Sequence, residues 1–414
     1  MISNLSNEHS KPSMLNKLNH NLIRIICSFL NESSLVVFGQ TCKELYQITS
    51  DNLFWKNIYY NKHNQFLFFN SNEQCFLLPS PRSIPNLTFF KTQFISLNKL
   101  THSWKHSRPV ITTISTNSCI TCLHLINDEL IYSDADGSAG LFKIYPIQNV
   151  NQDEIYMQHH KQIKICDKLS SFYGHGGPIW GIDRHGDTLF TGSYDKTIKL
   201  WEIKNGQCLH TIRAHSSWVS SLKYNEQYDK LISGSWDTTV KIWNLQTYHP
   251  DLVINNENDT FIYGIAENIS NNIIYGGTEK NTIIIWDTEK QGEIKDILVG
   301  HTHRVNCLQY KSNMLFSGSD DKTGKIWDLM TNECISELKG HSKGITNISY
   351  DDFSNRIYTS SHDTTIKIWD IRKMDKEIRT LIGHSEGVCS IAFDQSKLIS
   401  GSKDNSIRIW NFSH

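Results

Sequence analysis

The chain has 414 residues, 38% of them hydrophobic, which is enough for two or three domains that each bury a core. Forty-one basic against 42 acidic side chains leave a net charge of -1; this excludes a general field attraction for nucleic acid or anionic membrane, so a partner must be found by local shape and charge. Ten cysteines without framework spacing suit a reducing compartment and small buried hydrophobes, with no disulfide or redox control expected.

Met1 to Pro12 is polar, and the best early apolar run, Leu22 to Leu30, is short and carries Arg24, so a soluble intracellular protein of cytoplasm or nucleus is expected. Residues 14–60 predict short helices. Leu22, Ile25, Ile26, Phe29 and Leu30 form one apolar stripe at helical spacing. Thr41-Cys-Lys-Glu44 is a capping box leading into Leu45 and Ile48, and Asp51 caps a helix with Phe54, Trp55, Ile58 and Tyr59. The order Leu18-Asn-His-Asn-Leu22, Ile26, Phe29-Leu30, Ser34-Leu35, Thr41-Cys-Lys43, Leu53-Phe-Trp-Lys56 resembles the F-box. The resemblance implies a substrate receptor handed to a cullin complex through a Skp-type adaptor, with Leu18, Leu22, Ile26, Leu30, Leu35 and Trp55 at the adaptor surface. The same side chains read equally as the bundle's own core, although a bundle this small calls for a covering partner.

Residues 61–107 predict a linker. Asn64 to Asn86, with Pro79, Pro81 and Pro85, is irregular, whereas Phe90, Phe94, Leu97, Thr101 and Trp104 recur at helical spacing. A stiff spacer would hold a target at a fixed distance from a tethered catalytic subunit.

From residue 108 onward the pattern is β. Arg108-Pro-Val-Ile-Thr-Thr-Ile114 is a β-branched run standing ahead of a repeat, and tryptophans close successive copies at Trp201, Trp243, Trp286, Trp327, Trp369 and Trp410, 41 to 43 residues apart. A Gly-His or Ala-His pair precedes a turn aspartate by about twenty residues in five copies: His175 and Asp195, His215 and Asp237, His301 and Asp321, His341 and Asp363, His384 and Asp404. A seventh, degenerate copy begins near Cys119, with Ser133-Asp-Ala-Asp136-Gly as its turn and Phe142 in the tryptophan's place. The 59 residues from Phe142 to Trp201 leave an insertion over 146–170, expected to be an exposed loop. The copy ending at Trp286 departs too, with Asn258 and Lys280 where His and Asp are expected.

These phrases resemble the WD repeat, which implies a seven-bladed β-propeller over 108–414; with the small N-terminal helical bundle and the helical linker, a multidomain α plus all-β protein is expected. The last copy stops four residues after Trp410, so the run at 108–114 is expected to supply its missing strand and close the ring. By resemblance, each His, turn Asp, strand Ser or Thr such as Thr191, and Trp form a buried hydrogen-bonded tetrad. A hydrolase triad of Ser193, His175 and Asp195 is rejected because five copies of one arrangement mark structure rather than catalysis. No enzyme, cofactor or metal is expected; Cys119-Ile-Thr-Cys122 lacks the second pair a zinc knuckle needs.

The resemblance also places target recognition on the face bearing the turns and the starts of the first strands. There Trp180, Tyr194, Trp218, Trp236, Phe261 and Tyr263 all fall in blades two to four. They form either an aromatic platform for a target or rings that merely pack on one another. Arg304 and Lys403, with Lys196 and Lys322, are the cations of this face, and Glu279 and Asp320 on the same rim would oppose a doubly phosphorylated peptide. An apolar or aromatic peptide with one acidic group at Arg304 is the expected ligand. The alternative is a propeller scaffold that assembles a complex without any ligase role.

Overall fold

A computed structural model describes residues 109–145, 166–256, 259–352, 354–394 and 396–412. The chain divides into two units, Met1–His102 and Ser103–His414, and the described residues belong to the second. The expected helical module at 14–60, the linker at 61–107 and residues 146–165 of the insertion lie outside them.

Twenty-eight described strands, β1 (Val110–Ser115) to β28 (Ser406–Asn411), form seven four-stranded antiparallel sheets. Six are consecutive in sequence: blade 1 spans Ile120–Tyr173, blade 2 Ile179–Arg213, blade 3 Val219–Asn255, blade 4 Ile262–Val299, blade 5 Val305–Lys339 and blade 6 Ile345–Ile382. Blade 7 is assembled from both ends. Its strands over Val388–Asn411 receive β1 as the outer strand, with Val110 opposite Asn411 and Ser115 opposite Ser406. Neighbouring inner strands touch around the whole circle, blade 7 against blade 1 included, so the ring is closed.

The apolar core lies along the seams between blades. At one seam Ile131, Leu141 and Phe172 of blade 1 meet Ile179, Ile182, Leu189 and Trp201 of blade 2; at the closing seam Ile120, Leu123 and Leu130 meet Ile399, Ile407 and Ile409. The second strand of each blade is buried almost throughout, as in Thr188–Ser193, Lys230–Ser235 and Met314–Ser319, whereas first and third strands such as Val219–Asn225 and Thr239–Asn244 mix buried and partly exposed positions. The outermost strands are half solvated. That explains one departure from expectation: residues 166–170, placed in the insertion loop, are the first half of β5 (Cys166–Tyr173). This strand pairs with the strand Ser138–Ile144, but its mixed polar face carries no apolar alternation.

Candidate binding site at the mouth of the axial channel

Five blades hold the same buried relay. In blade 2 Trp201 Nε1 donates to Thr191 Oγ1 at 2.7 Å, Thr191 Oγ1 meets His175 Nε2 at 2.7 Å, and His175 Nδ1 meets Asp195 Oδ2 at 2.8 Å. An indole N–H can only donate and a carboxylate can only accept, so the hydroxyl donates to Nε2 and the proton of a neutral imidazole sits on Nδ1. His215, Ser233, Asp237 and Trp243 repeat the relay, as do His301, Ser317, Asp321 and Trp327. His341, Thr359, Asp363 and Trp369 form the fourth, and His384, Ser400, Asp404 and Trp410 the fifth. Ser193 has no part in it: its hydroxyl donates to the Gly177 carbonyl and accepts from the Asp195 N–H. Ser193, His175 and Asp195 are therefore not joined as a triad.

Two blades replace the relay. In blade 1 Tyr132 stands at the Thr191 position and stacks on Phe142, ring centroids 5.1 Å apart. Gly140 makes room for it, since a Cβ there would lie 2.5 Å from Tyr132 Cε1. In blade 4 the hydroxyl position is Gly276, a Cβ would meet Trp286 Cζ3 at 2.4 Å, and the buried Trp286 Nε1 has no acceptor.

The relays clamp the turns at one end of the blades, and at that end a second device shapes the site. In all seven blades the register between first and second strands shifts by one residue just after the first strand begins, leaving Thr121, Trp180, Ser220, Tyr263, Asn306, Thr346 or Cys389 as the bulged residue. A bulge re-aims the side chain it frees; here all seven line a cavity of about 530 Å³ along the ring's axis. Trp218, Trp236, Arg304, His362 and Lys403 complete its wall.

On one side of this mouth the aromatic rings form a continuous ladder. Tyr194 lies 4.2 Å from Trp218, Trp218 4.0 Å from Trp236, and Trp236 5.4 Å from Phe261 with nearly parallel planes. Tyr263 leans on Trp236 at 5.1 Å, and the Arg304 guanidinium covers Tyr263 at 5.1 Å. The rings thus pack on one another, so their outer edges rather than gaps between them are available to a ligand. Trp180 lies on the same mouth and, like Tyr194, leaves more than two fifths of its surface exposed.

Charge begins where the ladder ends, at Arg304 over Tyr263. Arg304 Nε lies 2.7 Å from Asp320 Oδ2, and Asp320 Oδ1 accepts from Asn306 Nδ2 at 2.6 Å. Arg304 and Asp320, both expected on this rim, are an ion pair, so Arg304 presents a partly neutralised cation. His362 is held below the usual imidazole range first by burial, then by Lys403, Arg304 and Lys343 around it. Lys403 is exposed at the rim. The mouth therefore offers an aromatic ladder ending on a paired arginine, with Lys403 as a further cation of the rim.

Cys119 was missed as a member of this rim. It occupies in blade 1 the position that Trp218, Phe261 and Arg304 hold in blades 3, 4 and 5, one residue before the first strand. The signal was available in the register but hidden by the degenerate repeat. Cys122 lines the cavity below it, its thiol donating to the Trp180 carbonyl and pushed up to about 12 by burial. Among the described residues no group of three His, Cys, Asp or Glu side chains is placed to hold a metal, and no helix is long and apolar enough to cross a membrane.

Comparison with known proteins agrees with this geometry. The WD domain, G-beta repeat model matches residues 166–202, 206–244, 292–328, 332–370 and 375–411, and an F-box-like model matches residues 20–61. An F-box/WD repeat-containing protein A-like protein of Dictyostelium discoideum is 26% identical over 96% of this chain and 35% of its own length. Cell division control protein 4 of Saccharomyces cerevisiae is 26% identical over 61% of this chain and 33% of its own. WD repeat-containing protein pop2 of Schizosaccharomyces pombe is 30% identical over 44% and 24%. The chain thus spans about a quarter to a third of the length of these relatives. Among solved structures, the computationally designed Ika8 protein matches with a TM-score of 0.55 and 26% identity, over 72% of this chain and 97% of that one.

Proposed function

We propose, from the premise that this chain is an F-box/WD-repeat protein, that it is the substrate-recognition subunit of a cullin-based ubiquitin ligase. The observation that carries this reading is the F-box-like segment at 20–61 standing ahead of a propeller in one chain. In this reading the F-box, through Leu18, Leu22, Ile26, Leu30, Leu35 and Trp55, binds a Skp-type adaptor that joins it to a cullin. The propeller mouth holds the target and performs no chemistry of its own.

The mouth supports a ligand of defined composition. The ladder from Tyr194 to Tyr263, together with Trp180, presents large rigid apolar edges that bury area with little loss of rotamer freedom. Arg304, partly neutralised at the end of the ladder, and Lys403 on the last blade suit one acidic group rather than two phosphates. The target segment is accordingly an extended peptide with an apolar or aromatic side chain near a single acidic one.

A displayed random-peptide library panned on the full chain tests this composition. Enriched sequences pair an aromatic or large aliphatic residue with one Asp or Glu, and the enrichment falls at least about tenfold for Trp236→Ala and for Lys403→Glu. Enrichment of basic or featureless sequences, or of the same sequences on both variants, would overturn it.

A further inference from the structure

The end of the ring opposite the mouth holds a second, smaller cavity of about 90 Å³, at the seam of blades 4 and 5. Asn268 and Ile273 give it a buried wall, while Lys295 and Met330 on its outer side are exposed. Asn268 ends the first strand of blade 4 as Asn225 ends that of blade 3, and each is paired across the following turn, with Ile273 and with Lys230. The two amides are used differently. Asn225 Oδ1 accepts from the Tyr228 N–H at 3.0 Å and its Nδ2 donates to Glu267. In blade 4 the turn winds into a single 3-10 turn, Ile269–Asn271, to which the Asn268 side chain makes no capping bond. Asn268 Oδ1 is buried without a donor from the protein, in a residue only 4% exposed. The neighbouring amides of the wall are committed: Asn313 Oδ1 accepts from the Tyr310 hydroxyl at 3.0 Å, and Asn332 Nδ2 donates to Asp296 Oδ2 at 2.5 Å.

We propose that this cavity binds the side-chain carboxamide of a glutamine presented by a partner protein, at the end of the propeller away from the target. The site is independent of the ligase reading. A carboxamide oxygen can only accept, so Asn268 Oδ1 calls for an N–H or O–H donor. Lys295 on the same wall disfavours an ammonium or guanidinium group and itself offers N–H donors to a carbonyl oxygen. A carboxamide answers both, giving its N–H to Asn268 and taking one from Lys295.

Size and the apolar part of the wall narrow the choice further. The cavity is far below the roughly 300–1,000 Å³ of sites that enclose a whole small molecule, and it fits the end of one side chain. Leu329 packs on the seam core and Met330 is 75% exposed; an unbranched thioether adapts to what it covers, and the two suit the methylenes of glutamine. Solvent competes for the Asn268 oxygen, so these apolar contacts supply the gain over water and the single contact is weak. Free glutamine would bring an ammonium group toward Lys295, which favours a glutamine whose ends are held in peptide bonds.

Titration of the full chain, carbon-13 labelled at its methionine methyls, with N-acetyl-glutamine N-methylamide tests the site. The Met330 resonance, identified by its loss in Met330→Leu, is expected to shift and to saturate at concentrations on the order of millimolar. Capped glutamate, which lacks the donor, and capped norleucine, which lacks both polar groups, bind at least about threefold more weakly, as does free glutamine. Asn268→Leu weakens binding of the capped glutamine by at least about threefold, and so does Lys295→Met, an exposed position whose replacement leaves the fold intact. A Met330 signal that does not move, an equal response to capped glutamate or norleucine, or full affinity in either variant would overturn the proposal. Tighter binding of free glutamine than of the capped form would overturn the partner protein as its source.

Discussion

At the scale of single residues the relays make the fold's stability depend on pH in a stated direction. Burial works against the charge on Asp195, Asp237, Asp321, Asp363 and Asp404, yet hydrogen bonds from the His and from the turn hydroxyl overcome it, holding the first four well below the usual carboxylate range and lowering Asp404 as well. A carboxylate lowered in the folded state contributes stability that is complete above its unfolded pKa, about 3.9, and is lost as pH falls toward the folded value. His215 and His384 are lowered by burial; the unfolded chain gains their protons below about pH 6.5, so their contribution begins to fade there. The urea midpoint of the full chain is therefore expected to be level from pH 8 to 7, to decline below about 6.5, and to fall more steeply below about 4. Asp321→Asn removes part of the acid limb and costs about 1–3 kcal/mol at neutral pH. A midpoint that rises on acidification would contradict the relay account.

Blade 4 supplies an internal control at the same scale. Trp327 Nε1 donates to Ser317 Oγ at 2.8 Å, whereas the equally buried Trp286 Nε1 has no acceptor. Replacing either by Phe removes similar apolar area, but only Trp327→Phe breaks a relay. The expected result in matched chemical denaturation is that Trp327→Phe is the more destabilising by about 1 kcal/mol; equal losses would mean that the indole hydrogen bond adds nothing.

At the scale of elements the closing strand is the point most open to attack. β28 is an edge unless β1 covers it, and an uncovered edge invites pairing with another chain. A variant beginning at residue 117 should aggregate at micromolar concentration by light scattering, while one beginning at residue 108 should stay monodisperse. Identical behaviour of the two would remove β1 from the account. This strand was legible in sequence because Val110 to Ile114 is β-branched and lies beside an array one strand short. The inner strands were legible for a related reason: the Ser or Thr, the Asp and the Trp are fixed by one relay, which forces the same spacing on each copy. The first half of β5 was not, because a half-solvated outer strand needs no apolar alternation. Nor were the bulges, since a one-residue register shift leaves composition and spacing unchanged.

At the scale of the whole molecule the site was legible as a location and not as an arrangement. Counting from the repeat placed Trp180, Tyr194, Trp218, Trp236, Phe261, Tyr263, Arg304 and Lys403 at one end of the propeller. Sequence could not tell that the aromatics stack as a ladder or that Arg304 is partly neutralised by Asp320. Those facts depend on which side chains of neighbouring blades converge, and neighbours here come from some forty residues away or from opposite ends of the array. The adaptor-facing residues lie outside the described residues, so the joining of a target-binding mouth to a ligase rests on the F-box-like match.

That joining is the central claim, and titration calorimetry against a purified Skp-type adaptor tests it most directly. The full chain is predicted to bind the adaptor with a Kd of about 1 µM or tighter, near -8 kcal/mol, and a Leu22→Asp, Trp55→Ala double variant to show no heat of binding. Absence of binding by the unaltered chain would contradict the account and leave a propeller without a ligase.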